Sequence, residues 1–338
     1  MTVKATGLLI ALSFAPLIGG ALPTSSASQT QPVMYQEARR LMWTKFEIAA
    51  YGADRSRLAE AANAAFDEID RLDRQMSNYS PASELSYINR NAASEDVIVE
   101  KELFDFLKLS LDYSRTTGGA FDITVGPLMK AWGFFNKQGR VPEPSELKKA
   151  AARVGFRHVL LNERTRSIRF DREGVELDLG GIAKGYAVDR AAEILRASGV
   201  TSALITSGSS SIYAIGAPPG QTAWRVEVSD PMDRSRQLAA IDLKDQSVST
   251  SGCHEKTFEA GRKTYCHIMD PRTGHPIEGL LSATIITPAG VEAEALSKAL
   301  MVMGVEKARA FLKNRPHVRA ILFYRQPEGG SGSARLNF

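Results

Sequence analysis

Apolar residues recur at helical spacing in two early stretches. Leu58, Ala62, Ala65, Phe66, Ile69, Leu72 and Met76 fall three or four apart, and Asp54 precedes them as a cap for the first N–H groups. Leu103, Leu107 and Leu111 repeat the pattern up to Gly118-Gly119, whose freedom at positive φ suits a helix terminus. Residues 45–51 alternate with period two instead, the mark of a half-buried strand. Further on, the pattern predicts a short helix over 145–154, a longer one over 183–197 and a helical pair over 293–312. Strands are expected at 159–161, 167–170, 203–206, 224–229, 238–243, 264–269, 282–286 and 319–324. Helices and strands interleave without regular βαβ alternation, which predicts an α+β fold with mixed or antiparallel sheets and packed helices. No repeat, dinucleotide fingerprint or P-loop occurs.

The two ends read differently from the middle. Lys4 followed by an apolar run from Leu8 to Leu22, broken by Pro16, has the length of a secretory leader and is too short to span a bilayer. Ser26, Ala27 and Ser28 place small residues at a cleavage site, so residues 1–28 are expected to leave as a signal peptide. No cysteine lies there to carry a lipid, and no later segment could anchor the chain, which predicts a periplasmic or secreted protein. Residues 29–35 read as a disordered linker, and the Gly/Ser-rich 326–338 as a flexible tail.

The net charge of +4 is spread along the chain without a basic block, which argues against nucleic acid, whose binding needs clustered cations. A small polyanion remains compatible. The two cysteines, Cys253 and Cys266, flank an expected hairpin, and its register decides their pairing. A loop at Glu259-Ala260 would set them opposite one another. A loop at Ala260-Gly261 would set them roughly 7–8 Å apart, too far to bridge, and glycine suits the second position of that turn.

Four segments are richer in Gly, Asp, Thr and His than a scaffold needs. In 118–128, glycines permit close backbone approach beside Asp122 and Thr124, although a capped helix end has the same composition. In 176–189 a strand passes through Gly180-Gly181 into a helix, where open N–H groups and Lys184 would form an anion cradle; an ordinary turn with a solvated lysine is the alternative. The run 267–274 gathers His267, Asp270, Arg272 and Thr273, a set suited to acid–base work on a phosphoryl group, yet it also makes a self-contained turn. His254 and His275 lie nearby without zinc spacing. In the fourth segment, 293–300, Glu294 and Lys298 stand four apart, in the order that favours a helix ion pair.

Taken in order, Met42-Trp-Thr44, Met76-Ser-Asn-Tyr79, Ser83-Glu-Leu85, Phe121-Asp-Ile-Thr124, Asp178-Leu-Gly-Gly-Ile-Ala-Lys184 and His267-Ile-Met-Asp-Pro-Arg-Thr-Gly274 resemble the FAD:protein FMN transferase (ApbE-type) family. The resemblance covers nearly the whole mature chain and implies a flavin transferase domain over 36–325 with a T-fold-like core. It implies FAD as substrate, cleavage of its pyrophosphate, and transfer of FMN to a Thr or Ser of an acceptor flavoprotein with release of AMP. Some relatives hydrolyse FAD instead, and a flavin-binding protein without chemistry is a further alternative. The implied FAD contacts are Met42, Tyr79, Ala120, Phe121, Asp122, Asp178, Lys184 and Ile268, with His267 as the base.

Departures from the family pattern concern the metal. Magnesium is implied at a backbone carbonyl near Gly181 and at the positions of Glu294, Ser297 and Lys298, where the family carries Asp and Thr in place of Glu294 and Lys298. An ammonium offers no lone pair and repels a cation. Two outcomes are expected: either Lys298, held by Glu294, contacts the diphosphate itself, or it turns to solvent and Glu294 with Ser297 retains a loosened metal. Trp43 stands where the family has glycine, and Ser209-Ser-Ser211 where it has a Gly-Gly-Asp turn.

Overall fold

The computed structural model describes residues 31–338 except 137, 234–235, 254–255 and 327–329. The expected signal peptide, the first two linker residues (29 and 30) and His254 lie outside the described residues. In chain order the elements are β1 (Val33–Leu41), β2 (Thr44–Gly52), α1 (Arg55–Met76), α2 (Glu84–Asn91), β3 (Val97–Ile98), α3 (Lys101–Thr116), α4 (Gly126–Ala131), α5 (Pro144–Ala151), β4 (Val159–Asn162) and β5 (Ser167–Phe170). Then come α6 (Ala183–Ala197), β6 (Ser202–Ser207), β7 (Ser211–Ile215), β8 (Trp224–Ser229), β9 (Gln237–Leu243), β10 (Gln246–Gly252), β11 (Thr257–Ala260) and β12 (Lys263–Cys266). The chain ends with β13 (Met269–Asp270), β14 (His275–Pro276), β15 (Leu280–Thr287), α7 (Gly290–Leu312), β16 (Arg319–Arg325) and β17 (Ser331–Leu336).

Eight strands form one antiparallel sheet in the order β1-β2-β6-β7-β10-β15-β16-β17. Strand alternation sorts its side chains to two faces. Phe46, Ile48, Ala203, Ile205 and Ile215 join the buried stripes of α1, α3 and α6 in the main core. Leu204, Ile212, Ala214, Val248 and Ile321 point the other way and are covered by the β8–β9 hairpin through Trp224, Val226 and Ile241. Central strands are therefore buried on both faces, whereas the helices gather on one. The α+β expectation is borne out.

Asp54 caps α1, its carboxylate accepting from Ser56 N–H at 2.8 Å. The expected helical pair over 293–312 is α7, broken at Gly304, whose φ of 76° and ψ of 171° no helix accommodates. Against expectation, residues 33–35 are strand β1 rather than linker, and the tail contains β17 rather than loose chain. Strand β17 pairs along the open edge of β16, and Leu336 packs into the core cluster under α7. Backbone groups make a ladder whatever the side chains, so a Gly/Ser composition does not prevent pairing.

The disulfide is a further correction. The hairpin turns at Gly261-Arg262, not at Ala260-Gly261, and pairs Cys266 with Thr257. Cys253 therefore lies outside the ladder, just past β10, and reaches Cys266 from there with Cα atoms 5.0 Å apart. Closing a loop of 13 residues contributes about 3 kcal/mol by restricting the unfolded chain. Reduction, or Cys253→Ser with Cys266→Ser, is expected to lower the thermal midpoint, measured by calorimetry with and without a phosphine reductant. An unchanged midpoint would show that the link contributes nothing.

Candidate active site

Helices α6 and α7 meet at two glycines, and this crossing sets the site. A Cβ on Gly185 would run into the Gly290 carbonyl, and one on Gly290 would come within 2.7 Å of the Gly185 carbonyl. The first turn of α7 is capped by Asp189 of α6, whose carboxylate accepts from Gly290 N–H at 2.6 Å and Val291 N–H at 2.8 Å. One turn later Glu294, fully buried, faces the start of α6.

Glu294 is the hub of the arrangement. One of its oxygens accepts from the Gly185 backbone N–H. The other accepts from Lys184 Nζ at 2.9 Å and from Lys298 Nζ at 3.1 Å. Burial alone would raise its pKa, but the two ammonium groups and their hydrogen bonds outweigh that and hold it down at about 2. The expected Glu294–Lys298 helix pair is therefore present, and Lys184 joins it.

Several N–H groups of the expected anion cradle are turned to internal acceptors. Ile182 and Ala183 N–H both donate to the Leu179 carbonyl, Gly180 N–H donates to Asp178 Oδ1 at 2.8 Å, and Gly185 N–H is taken by Glu294. Positive charge at this helix start is presented by lysine side chains instead.

A cleft opens beside these lysines. Its wall includes Ala120, Phe121, Asp178, Gly181, Lys184, His267, Ile268 and Lys298, all assigned from the sequence, which places segments separated by up to 178 residues around one space. His267 follows β12, and its backbone N–H and Nδ1 both lie against the Lys256 carbonyl, at 3.1 and 3.2 Å. A carbonyl only accepts, so the proton sits on Nδ1 and Nε2 is left as the basic nitrogen. Burial, with Lys256, Lys298 and Lys184 as neighbouring cations, pushes the imidazole down to about 3 against the Lys256 carbonyl bond. Burial likewise raises the Asp178 carboxyl above its ordinary range, partly offset by its bond from Gly180.

Other assigned residues have different duties. Asp122 touches the cleft, but its carboxylate is committed to Thr124 N–H and Oγ1 at 2.9 and 2.7 Å and to Phe156 N–H at 2.7 Å, so it pins the loop. Met42 does not line the cleft; it sits in the β1–β2 turn at φ 47°, with its N–H on Asp73 at 2.7 Å and its side chain against the main core. Its neighbour Trp43, 70% exposed at φ 61°, meets Tyr79 edge-on at 5.7 Å, and Tyr79 stacks on Phe135 at 4.8 Å, an aromatic rim at the cleft mouth. Asp270 binds Arg272 through both carboxylate oxygens, at 2.8 and 2.9 Å, so that part of 267–274 is the self-contained turn. Lys256, Thr250, Ser251 and Met129 also line the cleft and carried no sequence signal, because each is an isolated residue brought in by the fold.

The magnesium set does not fit a hard cation. Both Glu294 oxygens are engaged by cationic or N–H donors. Ser297 Oγ donates to the Glu294 carbonyl at 2.7 Å and lies 2.7 Å from Ser251 Oγ. A side chain at Gly181 would meet the Lys298 methylenes at 4.0 Å, so lysine lies along the backbone that the resemblance assigns to metal. Among the described residues no three His, Cys, Asp or Glu side chains are grouped to hold an ion.

The sequence profile of the ApbE family matches residues 42–322. A FAD:protein FMN transferase of Salmonella typhimurium is 29% identical over 330 residues, 95% of this chain and 93% of its own length. One from Treponema pallidum is 32% identical over 309 residues, covering 86% and 84%. Among solved structures, the ApbE protein of Thermotoga maritima superposes with a TM-score of 0.81 at 30% identity, over 89% of this chain and 97% of its own. The flavin transferase ApbE of Vibrio cholerae gives 0.78 at 27% identity, over 90% and 97%. With the cleft, the histidine and the α6–α7 crossing in one architecture, and with profile and structures matching along almost its whole length, this chain belongs to the ApbE family.

Proposed function

We propose that the protein is an exported FAD:protein FMN transferase. The observation that carries this reading is His267, its Nδ1 anchored on a carbonyl, in the same cleft wall as the lysine pair on Glu294. His267 Nε2 takes the proton from a Thr or Ser hydroxyl of the acceptor flavoprotein, and that oxygen bonds to the flavin-side phosphorus of FAD. The bridging P–O bond breaks, its electron pair leaves on AMP, and the proton passes from His267 to solvent. Such a reaction is mostly positioning and charge neutralisation, which a preset base and preset cations supply.

Export is supported by the apolar leader and by the Cys253–Cys266 disulfide, which persists in oxidising compartments. Among the described residues no helix is long and apolar enough to cross a membrane.

Incubation with FAD and a peptide carrying an acceptor Thr is expected to add the mass of FMN to the peptide and release AMP. Release of FMN and AMP with an unmodified peptide would indicate the hydrolase instead, and neither product would indicate a binder. In equilibrium titrations FAD is expected to bind more tightly than FMN or riboflavin, because Lys184 and Lys298 reach for phosphates; equal affinities would remove the lysines from the ligand site.

A further inference from the structure

We propose that Lys184 and Lys298, clamped together on Glu294, themselves neutralise the FAD diphosphate at the place the family resemblance gives to magnesium, so that this chain handles FAD without a divalent cation. This rests on FAD being the ligand of the cleft.

Three observations converge on it. First, the two ammonium groups come from different helices, one from the first turn of α6 and one from α7, yet they share a single carboxylate oxygen at 2.9 and 3.1 Å. Two like charges repel, and the shared carboxylate offsets that repulsion and holds both ammonium groups at one place. Second, both side chains line the cleft while Glu294 behind them is fully buried. The carboxylate is thus an orienting group that fixes two point charges toward the open side. Third, the side-chain oxygens that a metal would need are already engaged: Glu294 by three donors, Ser297 by the Glu294 carbonyl and Ser251. An ion entering here would have to displace both lysines and then stand next to them.

Both ammonium groups stand in the cleft wall, where they present positive charge and N–H donors to the oxygens of a bound phosphate. A lysine acts on phosphate as a point charge with rotatable donors, so the pair can follow the diphosphate as the bridging bond lengthens.

The test uses the full-length protein, with FAD binding measured at equilibrium and FAD turnover measured separately, each in EDTA and in excess magnesium. For the wild type, affinity and rate are expected to differ by less than about twofold between the two conditions, and manganese added alone should give no bound-ion signal by electron paramagnetic resonance. Lys298→Thr removes the ammonium and restores a hydroxyl; in EDTA it is expected to bind FAD at least about tenfold more weakly, with magnesium recovering much of the loss. Lys298→Arg keeps the charge and should stay insensitive to chelation, which separates loss of charge from misfolding. Wild-type FAD affinity that falls tenfold or more on chelation, or wild-type manganese binding, would overturn the proposal. If no condition gives turnover, the transferase reading fails on its own, while the binding arms still decide whether lysines or metal hold the diphosphate.

Discussion

Replacing His267 with Ala is expected to slow FMN transfer by roughly 10²–10⁴-fold, the usual contribution of a positioned general base, while FAD affinity changes little. The residue stands at the end of β12, beside the disulfide, with its Nδ1 held by the Lys256 carbonyl, so the ring orientation is preset and only the proton acceptor is lost. Its pH behaviour follows from the charges around it. In the free protein, burial and the Lys256, Lys298 and Lys184 cations hold the imidazole at about 3, so it is already neutral well below pH 6. An imidazole this acidic when protonated is a weak base. Diphosphate bound to the same lysines offsets their charge and should raise the pKa toward the range where proton transfer is effective. Since kcat/KM reports the free protein and kcat the complex, kcat/KM is expected to stay level down to about pH 5, with kcat falling at higher pH than that. Rates across the pH range for wild type and His267→Ala check this. A variant that loses FAD binding and melts at lower temperature would make His267 structural instead.

The largest expected effect on stability comes from Glu294→Ala. The change leaves Lys184 and Lys298 facing each other without their shared carboxylate and deprives the Gly185 N–H of its acceptor at the tightest point between α6 and α7. Breaking a buried pair from one side costs roughly 3–5 kcal/mol; both lysine side chains reach the surface in part, which places the loss near the lower figure. Glu294→Gln keeps the volume and one acceptor and should lose less. The pH dependence has a definite sign. Folding lowers the Glu294 pKa from 4.5 to about 2, so its stabilisation is fully present above pH 4.5 and disappears as pH falls toward 2. The gap in denaturation midpoint between wild type and Glu294→Gln should therefore be widest near neutrality and narrow on acidification through that window. A gap that stays constant down to pH 2.5 would mean that the carboxylate's charge is not what matters.

Local pattern was enough for much of the scaffold. The 3.6-residue stripes of α1, α3 and α6 and the apolar runs of β5, β6, β8 and β16 read correctly because each buries a face, and burial selects apolar residues at fixed spacing. Strands β1, β10 and β17 gave no such signal. The first and last are edge strands whose side chains mostly meet water, and β10 is built of Ser and Thr, which satisfy their hydroxyls inside the sheet, as Ser247 does on the Ile212 carbonyl at 2.7 Å. Pairing there is decided by backbone groups and by which neighbouring strand has an open edge.

For the site, the sequence by itself determined the chemistry that could be present: a histidine, an acidic residue beside a glycine pair, and a lysine where a metal ligand was expected. Residue type and order carry that information directly. Only the tertiary structure decided which of these groups face one another. Met42 and Arg272 lie outside the cleft and Lys256 inside it, and at the helix start of α6 the Ile182, Ala183 and Gly185 N–H groups are spent internally. Lys184 and Lys298, 114 positions apart, meet on one oxygen because Gly185 and Gly290 let two helices touch. Charge–charge contacts fall off over a few ångströms, and a separation along the chain says nothing about that distance until the backbone has folded.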